Sequence, residues 1–176
     1  STILPIGDQN FEAFRLDYYS DVPDSRLGMS ARENMEYNLS VCRAYADTFS
    51  PQAKNLLLYG SPGLGKTFLS SCIAGVVSRM GYWGAYDTAI RIFGSYESGK
   101  FTAPDAAEAA RRVRKYEQSD LLIVDDLGTE MATSFTVSAF YGLLAGRLMR
   151  RGPMIVSTNL LPAEFEPRYS PAIASR

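Results

Sequence analysis

The sequence predicts an α/β fold in three layers: a mostly parallel sheet with helices on both faces. Three observations predict it. Four short apolar runs, at residues 56–59, 82–86, 121–124 and 154–157, read as strands. Helical patterns separate them, near residues 67–80, 89–97, 104–117 and 134–150. The runs are divided by glycine and are apolar at nearly every position, the texture of strands covered on both faces and joined by crossover helices.

In chain order, residues 1–29 are rich in Asp, Pro, Tyr and Phe and hold neither a period of 2 nor one of 3.6, so they read as an irregular arm. Its aromatics Phe11, Phe14, Tyr18 and Tyr19 are expected to pin the arm to the domain body, with seating of a nucleotide base as the minor alternative. Residues 30–176 form the second unit. Ser30 followed by Glu33 makes a capping box, and Met35, Leu39, Cys42, Ala46 and Phe49 recur at spacings of four and three, which predicts an amphipathic helix over 30–49. The strand and helix alternation follows from Asn55 onward. The basic runs Arg111, Arg112, Arg114, Lys115 and Arg147, Arg150, Arg151 fall late in their helices, where cations favour the dipole, and are expected to be solvated.

Composition narrows the chemistry. With 176 residues, 46% hydrophobic and 21% charged, the chain suits one ordinary packed domain. Its 18 Lys+Arg against 19 Asp+Glu leave a net charge of −1, so any nucleic-acid contact must come from a local patch. There is no histidine, which removes Ser-His-Asp and Cys-His catalysis and histidine metal ligation. Cys42 and Cys72 sit at apolar helical positions and read as buried free thiols. No segment has the length of a membrane span or the form of a secretion signal, so the expected location is cytoplasmic. The chain opens at Ser1 and stops at Arg176 in a starting helix, and is read as a fragment of a longer protein.

The chemistry concentrates at strand ends. Directly after the first strand, GSPGLGKT satisfies G-x-x-x-x-G-K-[ST] and runs straight into a helix. Glycine is needed because backbone N–H groups must wrap a β-phosphate, and a Cβ at Gly60 or Gly65 would obstruct the turn or the approach. The candidate nucleotide-binding residues are therefore Gly60, Ser61, Pro62, Gly63, Leu64, Gly65, Lys66, Thr67 and Phe68. The Lys66 ammonium would reach the β- and γ-phosphates, and the Thr67 hydroxyl would ligate Mg2+. A Walker B pattern, LLIVDD, supplies Asp125 and Asp126 at the end of a strand expected beside that loop. Asp125 would hold the magnesium through water, and Asp126 would turn toward a hydrolytic water. Asn159, ending the strand segment MIVSTN, is the third candidate, placed to orient that water or touch the γ-phosphate.

GSPGLGKT, LLIVDDLGTE and MIVSTN, in that order, resemble the AAA+ family of P-loop ATPases, in which the third element is called sensor 1. The arm FEAFRLDYYSD, the segment YDTAIRIF, the acidic motif VDDLGTE and the ending RYSPAIASR resemble, within that family, the DnaC/DnaI helicase loaders and the IstB transposition helpers. The resemblance covers most of residues 11–176. It implies ATP or ADP with Mg2+ as ligands, ATP hydrolysis, and self-association through the ATP sites. It also implies a replicative helicase or another replication or transposition protein as partner, with single-stranded DNA as a further ligand. Arg176, in the final Ser-Arg, falls where that lineage carries its arginine finger, with Arg168 as the second candidate. Two departures stand out. Asp126 takes the place of the usual catalytic Glu and is one methylene shorter, which implies slow turnover; Glu130 is read as a solvent-exposed loop glutamate, with substitution as the base as the minor alternative. The chain also ends before the family's last strand and helical lid. Rival readings on the same motifs are a transposition helper, a nucleotide or small-molecule kinase, and a non-hydrolysing ATP-gated interaction module, to which Asp126 alone points. The absence of an Asn-Lys-x-Asp segment disfavours a GTPase.

Overall fold

The computed structural model describes residues 9–99 and 105–175. Strands β1 (Leu56–Tyr59), β2 (Gly84–Thr88), β3 (Leu121–Leu127) and β4 (Met154–Thr158) form one parallel sheet in the order β1-β4-β3-β2. The expected three-layer α/β architecture is present. The strand order corrects one expectation, because β4 lies between β1 and β3 and separates Asp125 from the phosphate loop. Burial explains the placement. Every residue of β4 is buried, as is all of β3 except Asp126, so these two strands take the central positions covered on both faces. At the edge, β1 alternates between half-buried and exposed.

Side-chain alternation along β3 divides the core. Leu121 and Ile123 face α1 (Ala31–Asp47) and α2 (Lys66–Arg79), meeting Ala46, Leu69 and Ile73. Leu122 and Val124 face the opposite layer, with α3 (Ala89–Ser98), α4 (Ala106–Gln118) and α5 (Ser134–Met149). The Ser30–Glu33 capping box is formed: Glu33 N–H donates to Ser30 Oγ at 3.1 Å and Ser30 N–H donates to Glu33 Oε2 at 2.7 Å. Cys42 and Cys72 are buried free thiols, and burial raises their pKa to about 11 and about 12.

Several boundaries and exposures differ from expectation. The second strand begins at Gly84, and the third runs on past Val124 to Leu127 with a register shift against β4. Pro104, the expected start of the fourth helix, lies outside the described residues. Two helices close the described chain, α6 (Pro162–Tyr169) and the short α7 (Pro171–Ala174). The sequence reading lacked α6 because Pro167 stands inside it, where proline normally ends a helix. Tyr18 does not pin the arm: it is 77% exposed, with Arg15 over its ring, whereas Phe11 enters the core beside α1 and α2.

Arg147 overturns the expectation of a solvated helix end. Its guanidinium is buried and donates to Tyr116 O at 3.0 Å, Ser119 O at 2.7 Å and Pro153 O at 2.8 Å. It thus ties the C-terminal end of α4 to the entry of β4, satisfying carbonyls that water does not reach. Burial lowers its pKa to about 10, so it stays protonated at neutral pH. Glycine is required at position 152, where a Cβ would sit 2.9 Å from Arg147 Cζ.

Candidate functional site

The site lies at the carboxyl ends of the parallel strands. Beyond β1 the chain is fastened to β4 by the Gly60 N–H, which donates to Thr158 O at 3.2 Å, and it then turns through positive φ at Gly60, Gly63 and Gly65. Gly65 carries the sharpest requirement: its φ is 90° and a Cβ would meet the Tyr19 hydroxyl at 3.0 Å. No side chain caps the N-terminus of α2, so its first N–H groups face the loop. Lys66 folds back over the loop and donates to Gly60 O and Ser61 O, both at 2.8 Å. Burial lowers its pKa, while the nearby carboxylates Asp126 and Asp125 oppose that shift.

The Asp125 carboxylate is 3% exposed and gathers donors from three elements. Thr67 Oγ1, in the first turn of α2, lies 3.2 Å from both of its oxygens. Tyr86 of β2 donates to Oδ2 at 2.5 Å, and Ser157 of β4 donates to Oδ1. The Asp126 N–H completes the set, 3.2 Å from Oδ1. Thr67 therefore reaches over the end of β4, and the intervening strand does not part the two halves of the site.

Asp126 is exposed and left-handed, with φ 54°, which breaks the strand alternation and turns its side chain out of the sheet. Burial of part of the carboxyl raises its pKa, Asp125 adds to the rise, and Lys66 opposes it. Asn159 is exposed one residue beyond Thr158, which is paired with Tyr59 on one side and Leu127 on the other. That position brings it out between the phosphate loop and the turn after Asp126.

Glu130 is not the exposed loop residue expected. It is 7% exposed; its Oε2 accepts from Gly128 N–H at 2.7 Å, and its Oε1 accepts from the Tyr169 hydroxyl. Arg168 sits 3.7 Å from Oε1 and also donates to the Glu130 carbonyl. Both groups are committed within the chain, which leaves Glu130 unsuited as a base and Arg168 unsuited as a free finger. Arg176 lies outside the described residues. The sequence reading passed over Tyr86 and Ser157, because neither motif nor spacing indicates which strands flank β3.

The arm meets the site directly. Phe14 stacks on Tyr19 at 6.0 Å and packs edge-on to Phe68 at 5.5 Å, while the Tyr19 hydroxyl donates to Leu64 O at 2.8 Å. These side chains line a cavity of about 350 Å³ beside the loop.

The residues present fit a magnesium nucleotide. Among the described residues no group of three or more Cys, Asp or Glu could hold a metal unaided. One carboxylate and one hydroxyl in contact suit a cation that takes its remaining ligands from water and phosphate oxygens, as Mg2+ does. Thr67 and Asp125 are the residues that would hold it.

The sequence model of the family described as IstB-like ATP binding protein matches residues 38–172. No curated protein sequence matches the chain. Among solved structures, the DnaC helicase loader is 18% identical with a TM-score of 0.75, covering 97% of this chain and 92% of that one. DnaI is 18% identical with a TM-score of 0.66, covering 90% of this chain and 78% of that one. A replication initiator DnaA bound to AMPPCP and single-stranded DNA is 18% identical with a TM-score of 0.71, covering 96% of this chain and 47% of that one. At these identities the likeness is one of fold. No described helix is long and apolar enough to cross a membrane.

Proposed function

The chain belongs to the IstB-like ATP-binding family, and from that premise we propose that it is a Mg-ATP-dependent AAA+ switch of the helicase-loader kind, acting on a replication machine. The observation that carries the nucleotide reading is the contact of Thr67 Oγ1 with both oxygens of Asp125 at 3.2 Å, which joins the phosphate-loop helix to the acidic strand end. The loop N–H groups and Lys66 bind the phosphates, and the arm cavity at Phe14 and Tyr19 seats the base. When bound, Mg2+ neutralises charge on the β- and γ-phosphates. Asp126 and Asn159 orient the attacking water, and Asp126 accepts its proton. Hydrolysis is slow, because the Asp126 carboxylate is a methylene short of the usual reach. A cation from a second copy, assigned to Arg176, completes the site.

The loader reading is supported by the DnaC match, which spans nearly all of both chains. The family description favours a second reading, a transposition helper with the same nucleotide site. The two are separated by adding either a replicative helicase or a transposase to the chain and ATP: the true partner raises ATP turnover. A kinase would instead transfer the γ-phosphate to an acceptor, so release of free phosphate in step with ADP excludes it.

Three substitutions test the roles. Asp125→Asn is expected to leave metal-free ADP binding within about twofold and to weaken its enhancement by Mg2+ by about tenfold in titration calorimetry. Unchanged magnesium dependence removes Asp125 from the site. Asp126→Asn and Asn159→Ala are expected to lower kcat by about a hundredfold at saturating ATP with little change in affinity, as groups that position water do. Parental turnover in both refutes their assignment.

A further inference from the structure

The Asp125 carboxylate is saturated. A carboxylate presents about four lone-pair positions. Ser157 Oγ and the Asp126 N–H take Oδ1, Tyr86 takes Oδ2 at 2.5 Å, and Thr67 bridges both oxygens at 3.2 Å. Three of these donors stand on β4, β3 and β2, strands of one continuous sheet that holds their backbone positions around Asp125. Thr67 alone belongs to α2, and its hydroxyl can turn elsewhere.

We propose that Tyr86 is a positioning residue that sets metal specificity: by occupying Oδ2 it restricts Asp125 to the one exchangeable position facing Thr67. This rests on the magnesium-nucleotide reading above. The consequence follows from ion chemistry. Mg2+ dehydrates reluctantly, keeps several waters and tolerates a carboxylate that acts through them. Ca2+ takes carboxylate oxygens directly, often both at once. A carboxylate with its Oδ2 already filled serves the first ion and refuses the second.

The ring of Tyr86 is half-buried between β3 and the α1/α2 layer, and Tyr86→Phe keeps that ring while removing only the donor. The experiment is calorimetric titration of ADP with Mg2+ alone or Ca2+ alone, in the parent and in Tyr86→Phe, each referenced to its own metal-free affinity. The parent is expected to gain more from Mg2+ than from Ca2+, and the variant to move that ratio toward Ca2+ by about tenfold. Ser157→Ala, which removes one donor from Oδ1 and leaves the Asp126 N–H in place, is expected to move it the same way and serves if Tyr86→Phe folds poorly. A parent that is metal-dependent, with the same Mg2+ to Ca2+ ratio in both variants, overturns the assignment of Tyr86 and leaves the nucleotide site standing. A change in melting temperature alone, without a change in ratio, shows a purely structural hydroxyl and overturns it equally. A parent whose ADP binding ignores both ions overturns the magnesium-nucleotide reading itself.

Discussion

Lys66→Ala is expected to abolish detectable nucleotide binding while leaving the fold intact. The ammonium donates only to the carbonyls of Gly60 and Ser61 and belongs to neither core cluster. Removing it takes away the one cation among the loop residues 60–67, and so the charge-assisted bonds to phosphate, which are about twice as strong as neutral ones. A loss of at least about a hundredfold in affinity is expected, equivalent to about 3 kcal/mol. Titration calorimetry with ADP and with Mg-ATP reads it, alongside a thermal melt within a few degrees of the parent. Binding at parental affinity would mean that the loop is not a phosphate cradle.

The largest expected effect on stability lies at the other end of the sheet. Arg147→Ala leaves the carbonyls of Tyr116, Ser119 and Pro153 without their donor in a region that water does not reach. It also opens the space that the guanidinium fills against Gly152. Each buried carbonyl left unpaired costs about 1–3 kcal/mol, so a loss of about 3 kcal/mol or more is expected. Arg150→Ala, three residues on at an exposed position, is the matched control and is expected to stay within about 0.5 kcal/mol. Urea unfolding of both measures the difference. Equal midpoints would show that Arg147 does not hold the carbonyls together.

These two residues also mark where the sequence was legible. The phosphate loop could be read because its requirements are local: glycines for positive φ, a lysine at a fixed offset and a helix start, all within eight consecutive positions. The capping box at Ser30 and Glu33 is equally local. Arg147 has the same composition signal as its neighbours Arg150 and Arg151, and only the packing of α4 against α5 separates a buried carbonyl clamp from a solvated helix end. Glu130 fails for the same reason, since its partners Tyr169 and Arg168 arrive from a helix that Pro167 concealed. The position of β4 was not written in the chain order at all. Apolar runs identify strands, but which one lies in the middle is decided by helices competing to cover both faces. Tyr86 and Ser157 become visible as partners of Asp125 only once that order is known.

The strand order bears on how the protein comes to be made. Among the described strands β1 pairs only with β4, and Met154 N–H reaches back to Asn55 Oδ1 across 99 residues of chain. During synthesis, the segment carrying the phosphate loop emerges early but finds no strand to lie against until residues 154–158 have followed. Closing so long a loop costs entropy before any contact repays it, and somewhat more than the shorter closure that pairs Gly84 of β2 with Leu121 of β3. A ligand that binds only the framed loop favours, by mass action, the state in which β1 lies against β4.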